Sequence, residues 1–198
     1  MPTSDKSYHH GDLRRALIAT GMEVLAESGP ASLSLREIAR RLGVSHNAPS
    51  RHFATRQALL AAIAIAGYED LSARTANAGE GAQSTEEAMV RRGLAYVGFA
   101  LERPALFRLM FSDQIDRKAY RDLDLTAQTS LLALMPQVSA AYGERSLREA
   151  TLAAWSMVHG LAQLLIDNQP PPELRAGRSD LKLAEATLRA MAHFISRP

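Results

Sequence analysis

Apolar residues recur at helical spacing along almost the whole chain. No stretch alternates apolar with polar residues in the β-branched-rich manner of a strand. About nine helices are predicted. The first runs from about Asp12 to Glu27, turns Leu13, Leu17, Val24 and Leu25 inward, and is broken by Ser28-Gly29-Pro30. A long helix covers about Arg56 to Ala78, and a Gly-rich loop follows. Ser84 with Glu87 forms a predicted capping box that opens a helix to about Glu102. Pro104 sits in the first turn of the next helix, which carries Leu106, Phe107, Leu109, Met110 and Phe111. A segment from about Lys118 to Tyr142 is helical, with Pro136 expected to kink or split it. Ser146 with Glu149 reads as a third capping box for a helix to about Asp167. Pro170-Pro171-Pro172 reads as a stiff turn, and a last helix spans about Asp180 to Ile195.

The segment from Ser34 to Leu60 is the most informative. Ser34 caps a short helix and Glu37 completes its capping box. Leu35, Ile38, Ala39 and Leu42 make one apolar stripe, and Gly43 suits a left-handed helix end. Ser45 is placed to cap a second short helix whose first turn is His46, Asn47 and Ala48, with Pro49 at the edge of the tolerated positions. Thr55 caps the long helix that begins at Arg56. Two short helices at a fixed angle are the geometry that offers one helix end to a DNA major groove.

Charge refines this picture only slightly. Residues 1–56 carry eight Lys and Arg against five Asp and Glu, and the remainder fifteen against sixteen, so a mildly basic head sits on a near-neutral body. There is no cysteine, which excludes disulfides, thiolate nucleophiles and Cys-based zinc sites and fits a reducing cytoplasm. The amino end has no apolar core of signal-peptide length. The most apolar run, Ala150 to Ile166, is too short and too polar for a membrane span, so a buried helix is expected there.

Residues Ser34 to Leu60 resemble the DNA-binding domain of the TetR/AcrR family of bacterial transcriptional regulators. The opening Tyr8-His9-His10-Gly11-Asp12-Leu13-Arg14 resembles one branch of it. Arg103 to Phe111 and Trp155-Ser156-Met157-Val158-His159-Gly160 resemble the body of the same branch, the Trp-His-Gly type. The resemblance implies an all-α homodimer. An N-terminal three-helix helix-turn-helix DNA-binding domain, residues 1–55, would join a C-terminal helical bundle for ligand binding and dimerisation, residues 56–198. It implies a palindromic double-stranded DNA operator and a largely apolar small-molecule effector whose binding releases a repressor; the alternative is a ligand-independent or corepressor-dependent DNA binder. No cofactor, metal or membrane is expected. The sequence departs from the family at Ser50, where a phosphate-touching tyrosine is usual, and at Arg56, where a lysine is common.

With the usual docking, His46 and Asn47 read base edges, Ala48 presses on a thymine methyl, and Arg36 reaches a guanine or a phosphate. Ser34, Ser45, Ser50, Arg51, His52 and Arg56 are candidates for phosphate contacts, and Tyr8, His9 and His10 for the backbone or a minor groove. Met89, Tyr96, Phe99, Phe107, Met110, Phe111, Trp155 and His159 are the candidate pocket. Leu161, Leu164, Leu165, Leu188, Met191, Phe194 and Ile195, on the last two helices, are the candidate dimer seam.

Two other classes fare worse. An enzyme is disfavoured because the chain has no Gly-x-Ser-x-Gly elbow and no dinucleotide or phosphate-loop glycine fingerprint. Its histidines also lack metal-ligand spacing. A protein that coats DNA without selectivity would need a basic body, and residues 57–198 are net negative.

Overall fold

The structure is a computed structural model that describes residues 10–143 and 146–195. Helices α1 (His10–Ser28) and α2 (Leu35–Leu42) form the head with the turn that follows them. The body is α3 (Arg56–Ala78), α4 (Thr85–Glu102), α5 (Pro104–Phe111), α6 (Arg121–Leu132), α7 (Met135–Tyr142), α8 (Leu147–Ile166), α9 (Pro172–Arg175) and α10 (Asp180–Ile195). There is no strand among the described residues, and no helix among them is long and apolar enough to cross a membrane.

Local chemistry sets the head. The Ser34 hydroxyl accepts the Glu37 N–H at 3.1 Å and so caps α2. The expected reciprocal half of that capping box does not form, because the Glu37 carboxylate is taken by Arg40 and Arg41. Their hydrogen bonds, Arg40's first, hold the Glu37 carboxyl down to about 2. Arg41 also reaches Glu27 on α1 at 2.7 Å and locks the two helices together. At the other end of α2, Gly43 has φ 65°. Its N–H bonds the Arg40 carbonyl, and the Val44 N–H bonds that of Ala39, the paired pattern that a left-handed glycine permits.

The second short helix is not an α-helix. His46, Asn47 and Ala48 form a turn, and Pro49–Arg51 is a single 3-10 turn. Proline has no N–H, so it cannot make the first α-type bond back to the Ser45 carbonyl. That carbonyl accepts from Ala48 at 3.0 Å instead, and the chain tightens. Pro49 and Phe53 are buried beneath the turn, which holds it against the head core of Leu17, Leu25, Leu33 and Ile38.

In the body, the bounds of α3 match the expectation, and α5 has Pro104 in its first turn and carries Leu106 to Phe111 as expected. The segment over 118–142, which Pro136 was expected to kink or split, is split at Ala133 and Leu134, and Pro136 falls in the first turn of α7, where its missing N–H breaks no bond. The box at Ser84 is half-formed: its hydroxyl accepts from the Glu87 N–H, while the Glu87 carboxylate takes the Gln83 N–H. The box at Ser146 is absent, because that residue is left-handed, with φ 56°, and its side chain caps nothing. Pro172 opens the four-residue α9 rather than extending a turn.

Helix α4 is the spine of the body and packs on α3, α8 and α10. Leu188 of α10 lies against Gly93 so closely that an added Cβ would sit 3.0 Å from its methyl carbon. Arg74 pairs with Asp70 and Glu102, and Arg103 with Asp70, which ties the middle of α3 to the end of α4.

Candidate nucleic-acid interface and body cavity

The turn after Gly43 projects from the head. Ser45, His46, Asn47, Ser50 and Arg51 are exposed, as is Arg36 on α2, while Ala48 and His52 are half-buried. His46 and Asn47 are therefore exposed, but on a sharper turn than the expected helix would make.

Two expected phosphate contacts have other occupations. Ser50 donates its hydroxyl proton to the Asn47 carbonyl at 2.8 Å. It is left an acceptor, and a phosphate offers no proton to accept. Arg56 is half-buried; its Nε donates to the Leu33 carbonyl at 2.7 Å and its Nη2 to the Pro30 carbonyl. Its guanidinium fastens the loop between α1 and α2 to the start of α3. Ser34 and Thr55 act as caps, and the Thr55 hydroxyl also meets the Tyr120 hydroxyl at 3.4 Å across the head–body junction. Tyr8 and His9 lie outside the described residues, and the side chain of His10 lies outside them too.

The body holds a cavity of about 620 Å³. It runs along α3 from Tyr68 to Thr75 and is walled by α4, α6, α8 and α10. Of the expected lining, Met89, Tyr96, Phe111, Trp155 and His159 are there. Phe99, Phe107 and Met110 are not. Phe99 is fully buried two turns farther along α4 than Arg92, with the Arg74 guanidinium 5.6 Å and that of Arg103 6.0 Å from its ring centre. Phe107 and Met110 belong to the packed core beneath the cavity floor.

His159 is the hub of the aromatic wall. Its ring centre is 4.5 Å from that of Phe111 and 5.6 Å from that of Trp155, and it stacks on Phe107 at 5.2 Å. Its Nδ1 shares a hydrogen bond of 2.9 Å with the Tyr96 hydroxyl. Burial pushes the imidazole pKa down and the Tyr96 phenol up, so both are neutral at pH 7. Linkage then has a definite sign. The unfolded state takes up a proton more readily than the folded one, so His159 contributes its stability above the ordinary histidine pKa and loses it as pH falls toward the lower folded value. Thermal unfolding should show the wild type losing more stability than His159→Gln between pH 7.5 and pH 5.5; parallel losses would reject this.

The sequence reading missed the α3 and α6 walls and two cations. Tyr68, Ser72 and Thr75 face the cavity, and Ser72 bonds Ser130 of α6 at 2.8 Å. Arg92 and Arg117 line it as well. A local signal for Arg92 existed: residues 89, 92, 93 and 96 share one helical face with the predicted Met89 and Tyr96.

The expected dimer seam is largely spoken for. Leu161 and Leu165 are buried in this chain's own core, and Leu188 and Met191 line its cavity. Leu164 alone of the described candidates is exposed, at 50%, and Leu152 is exposed at 57% three turns earlier on α8. The side chains of Phe194 and Ile195 lie outside the described residues.

Comparison with known proteins gives a consistent result. The model described as "Bacterial regulatory proteins, tetR family" matches residues 17–63. That described as "Tetracyclin repressor-like, C-terminal domain" matches residues 89–191. The HTH-type transcriptional regulator Rv1816 of Mycobacterium tuberculosis is 30% identical over 101 residues, which cover 50% of this chain and 43% of that protein. The match thus spans less than half of the curated relative. A protein of unknown function from Rhodococcus sp. RHA1 superposes with a TM-score of 0.80 at 30% identity, covering 98% of each chain. The TetR family transcriptional regulator PfmR from Thermus thermophilus has the same fold, with a TM-score of 0.63 at 19% identity, covering 91% of this chain and 94% of that one.

Proposed function

Because this chain belongs to the tetR family of bacterial regulatory proteins, we infer that it represses transcription from a near-palindromic operator and leaves it when a small molecule enters the body cavity. Residues 1–55 act as the DNA-binding head and residues 56–198 as the effector-binding and dimerising body. The observation that carries the reading is the exposure of His46 and Asn47 on the turn after Gly43. An exposed pair there has no packing role, and asparagine pairs with adenine through two hydrogen bonds in the major groove. Arg36, Ser45 and Arg51 surround the pair as phosphate or base contacts.

A dimer is needed to read two half-sites, and α8 and α10 supply a face for it. Leu152, Ser156, Gly160 and Leu164 recur at four-residue spacing along α8. An added Cβ at Gly160 would meet nothing within 4 Å, so a partner helix has room to approach. Ala186 and Ala190 present a similar low surface on α10. The two heads would then engage successive major grooves about 34–36 Å apart.

Selection of random-sequence duplexes by the whole chain tests this and should return an inverted repeat. On that site Asn47→Ala should weaken binding roughly 5–150-fold, the value of one bidentate base contact, and leave binding to random duplex unchanged. Equal losses on both would remove Asn47 from base reading.

A further inference from the structure

Two of the cavity's wall residues are arginines that have no acidic partner among the described residues. Six arginines of the body are paired with a carboxylate: Arg74, Arg91, Arg103, Arg108, Arg175 and Arg189. Arg92 and Arg117 are half-buried, line the cavity, and form no ion pair among the described residues. Withdrawing a guanidinium from water without a counter-charge is unfavourable, and a protein that keeps two around one apolar chamber has a use for their field.

The two differ in how well they are satisfied. Arg117 donates Nη2 to the Tyr68 hydroxyl at 2.7 Å and to the Met110 carbonyl at 2.6 Å, and its guanidinium lies 5.8 Å from the Tyr68 ring centre. Arg92 has a single bond, from Nη1 to the Thr75 carbonyl at 3.1 Å, and its buried Nε has no acceptor. Its head lies across Gly79, in space that any Cβ there would fill. Tyr68 and Thr75 are seven residues apart on α3, so the two cations mark positions about 10 Å apart along the chamber. One carboxylate, Asp113, also lines the cavity; it is exposed and pairs with neither arginine. The wall also carries Met89, Trp155, Leu188 and Met191.

We propose that the effector is an amphipathic acid: one anionic head, carboxylate or phosphate, held by Arg92, and an apolar body lying against Trp155 and the α10 side chains. This rests on the cavity being the effector site and adds the charge of what fills it. Arg92 can take an oxyanion in a forked pair of charge-assisted bonds that a neutral ligand cannot match. Arg117 supports the same sign of charge from farther off.

The chain has one tryptophan, Trp155, and it is in the wall, so intrinsic fluorescence reports occupancy directly. Decanoate, decyl phosphate and uncharged 1-decanol would each be titrated into the whole chain and into the Arg92→Gln and Arg117→Gln variants. An acid should bind at least about tenfold more tightly than the alcohol. Arg92→Gln should remove that advantage while leaving the alcohol's affinity unchanged, and Arg117→Gln should reduce it less. The alcohol binding equally in all three also shows that the variants are folded. The tighter of the two acids identifies the head group. Equal affinity for acids and alcohol overturns the anionic class and leaves the effector cavity standing. A larger loss from Arg117→Gln than from Arg92→Gln overturns the assignment to Arg92. No response to any of the three overturns both the proposal and the cavity reading on which it rests.

Discussion

Phe53→Ala is expected to destabilise the head by about 3–5 kcal/mol and to abolish selective DNA binding. Phe53 is 3% exposed and closes the core under the projecting turn. Its ring also carries the Arg14 guanidinium of α1, 5.4 Å from its centre. Its N–H bonds the Pro49 carbonyl at 2.9 Å, so the residue that supports the turn from below also closes it. Truncation leaves a cavity that a short 3-10 turn, with few bonds of its own, cannot collapse to fill. Urea unfolding followed by circular dichroism measures the loss, and a gel shift on the selected site measures the function. A loss below about 1 kcal/mol would mean that the turn holds itself without the ring beneath it.

Arg56→Ala is expected to cost about 3 kcal/mol, through the loss of two charge-assisted bonds to the Leu33 and Pro30 carbonyls. Arg56→Lys should recover little, because an ammonium cannot span two carbonyls as the planar fork does. The DNA signature is the discriminating one. If Arg56 fastens the loop, the salt dependence of binding to random duplex stays as in the wild type under conditions where both proteins are folded. If it touches a phosphate, the slope of affinity against salt falls by about one and stability is hardly changed. Measuring both on one preparation separates the roles.

The contrast between Arg56 and Ser34 shows what could be read from the chain and what could not. Ser34, Thr55 and Gly43 act on residues three to five positions away, so their capping roles were visible in the local pattern and are found as expected. Helices α3 and α5 were equally legible, because caps and apolar periodicity agreed. Arg56 acts on carbonyls 23 and 26 residues earlier, and no spacing rule encodes that. The turn at Pro49 was visible as a disturbance, but its outcome, a 3-10 turn in place of a helix, depended on the buried proline and Phe53 beneath it. The cavity was half legible. Aromatic and methionine positions on α4 and α8 announced an apolar interior, but which of them meet empty space depends on five helices arriving from distant parts of the chain. For that reason Phe107 and Met110, on the right helix at the right spacing, turned out to be core. The expected dimer seam met the same limit: the apolar pattern of α8 did not tell that Leu161 and Leu165 would be buried in this chain's own core while Leu152 and Leu164 stay exposed.

Helix α3 is one unbroken rod of 23 residues. At 1.5 Å per residue it is about 34 Å long. Its first turn is bolted to the DNA-facing end by Arg56, and its second half forms a wall of the chamber through Tyr68, Ser72 and Thr75. A rod pinned in this way works as a crank: a tilt of about 5° sweeps one tip by about 3 Å relative to the other. If the chain pairs symmetrically and releases DNA on ligand binding, as proposed above, the two sweeps would combine, and a molecule that wedges the far wall outward by an atom's width would throw the grips off the pitch of the duplex.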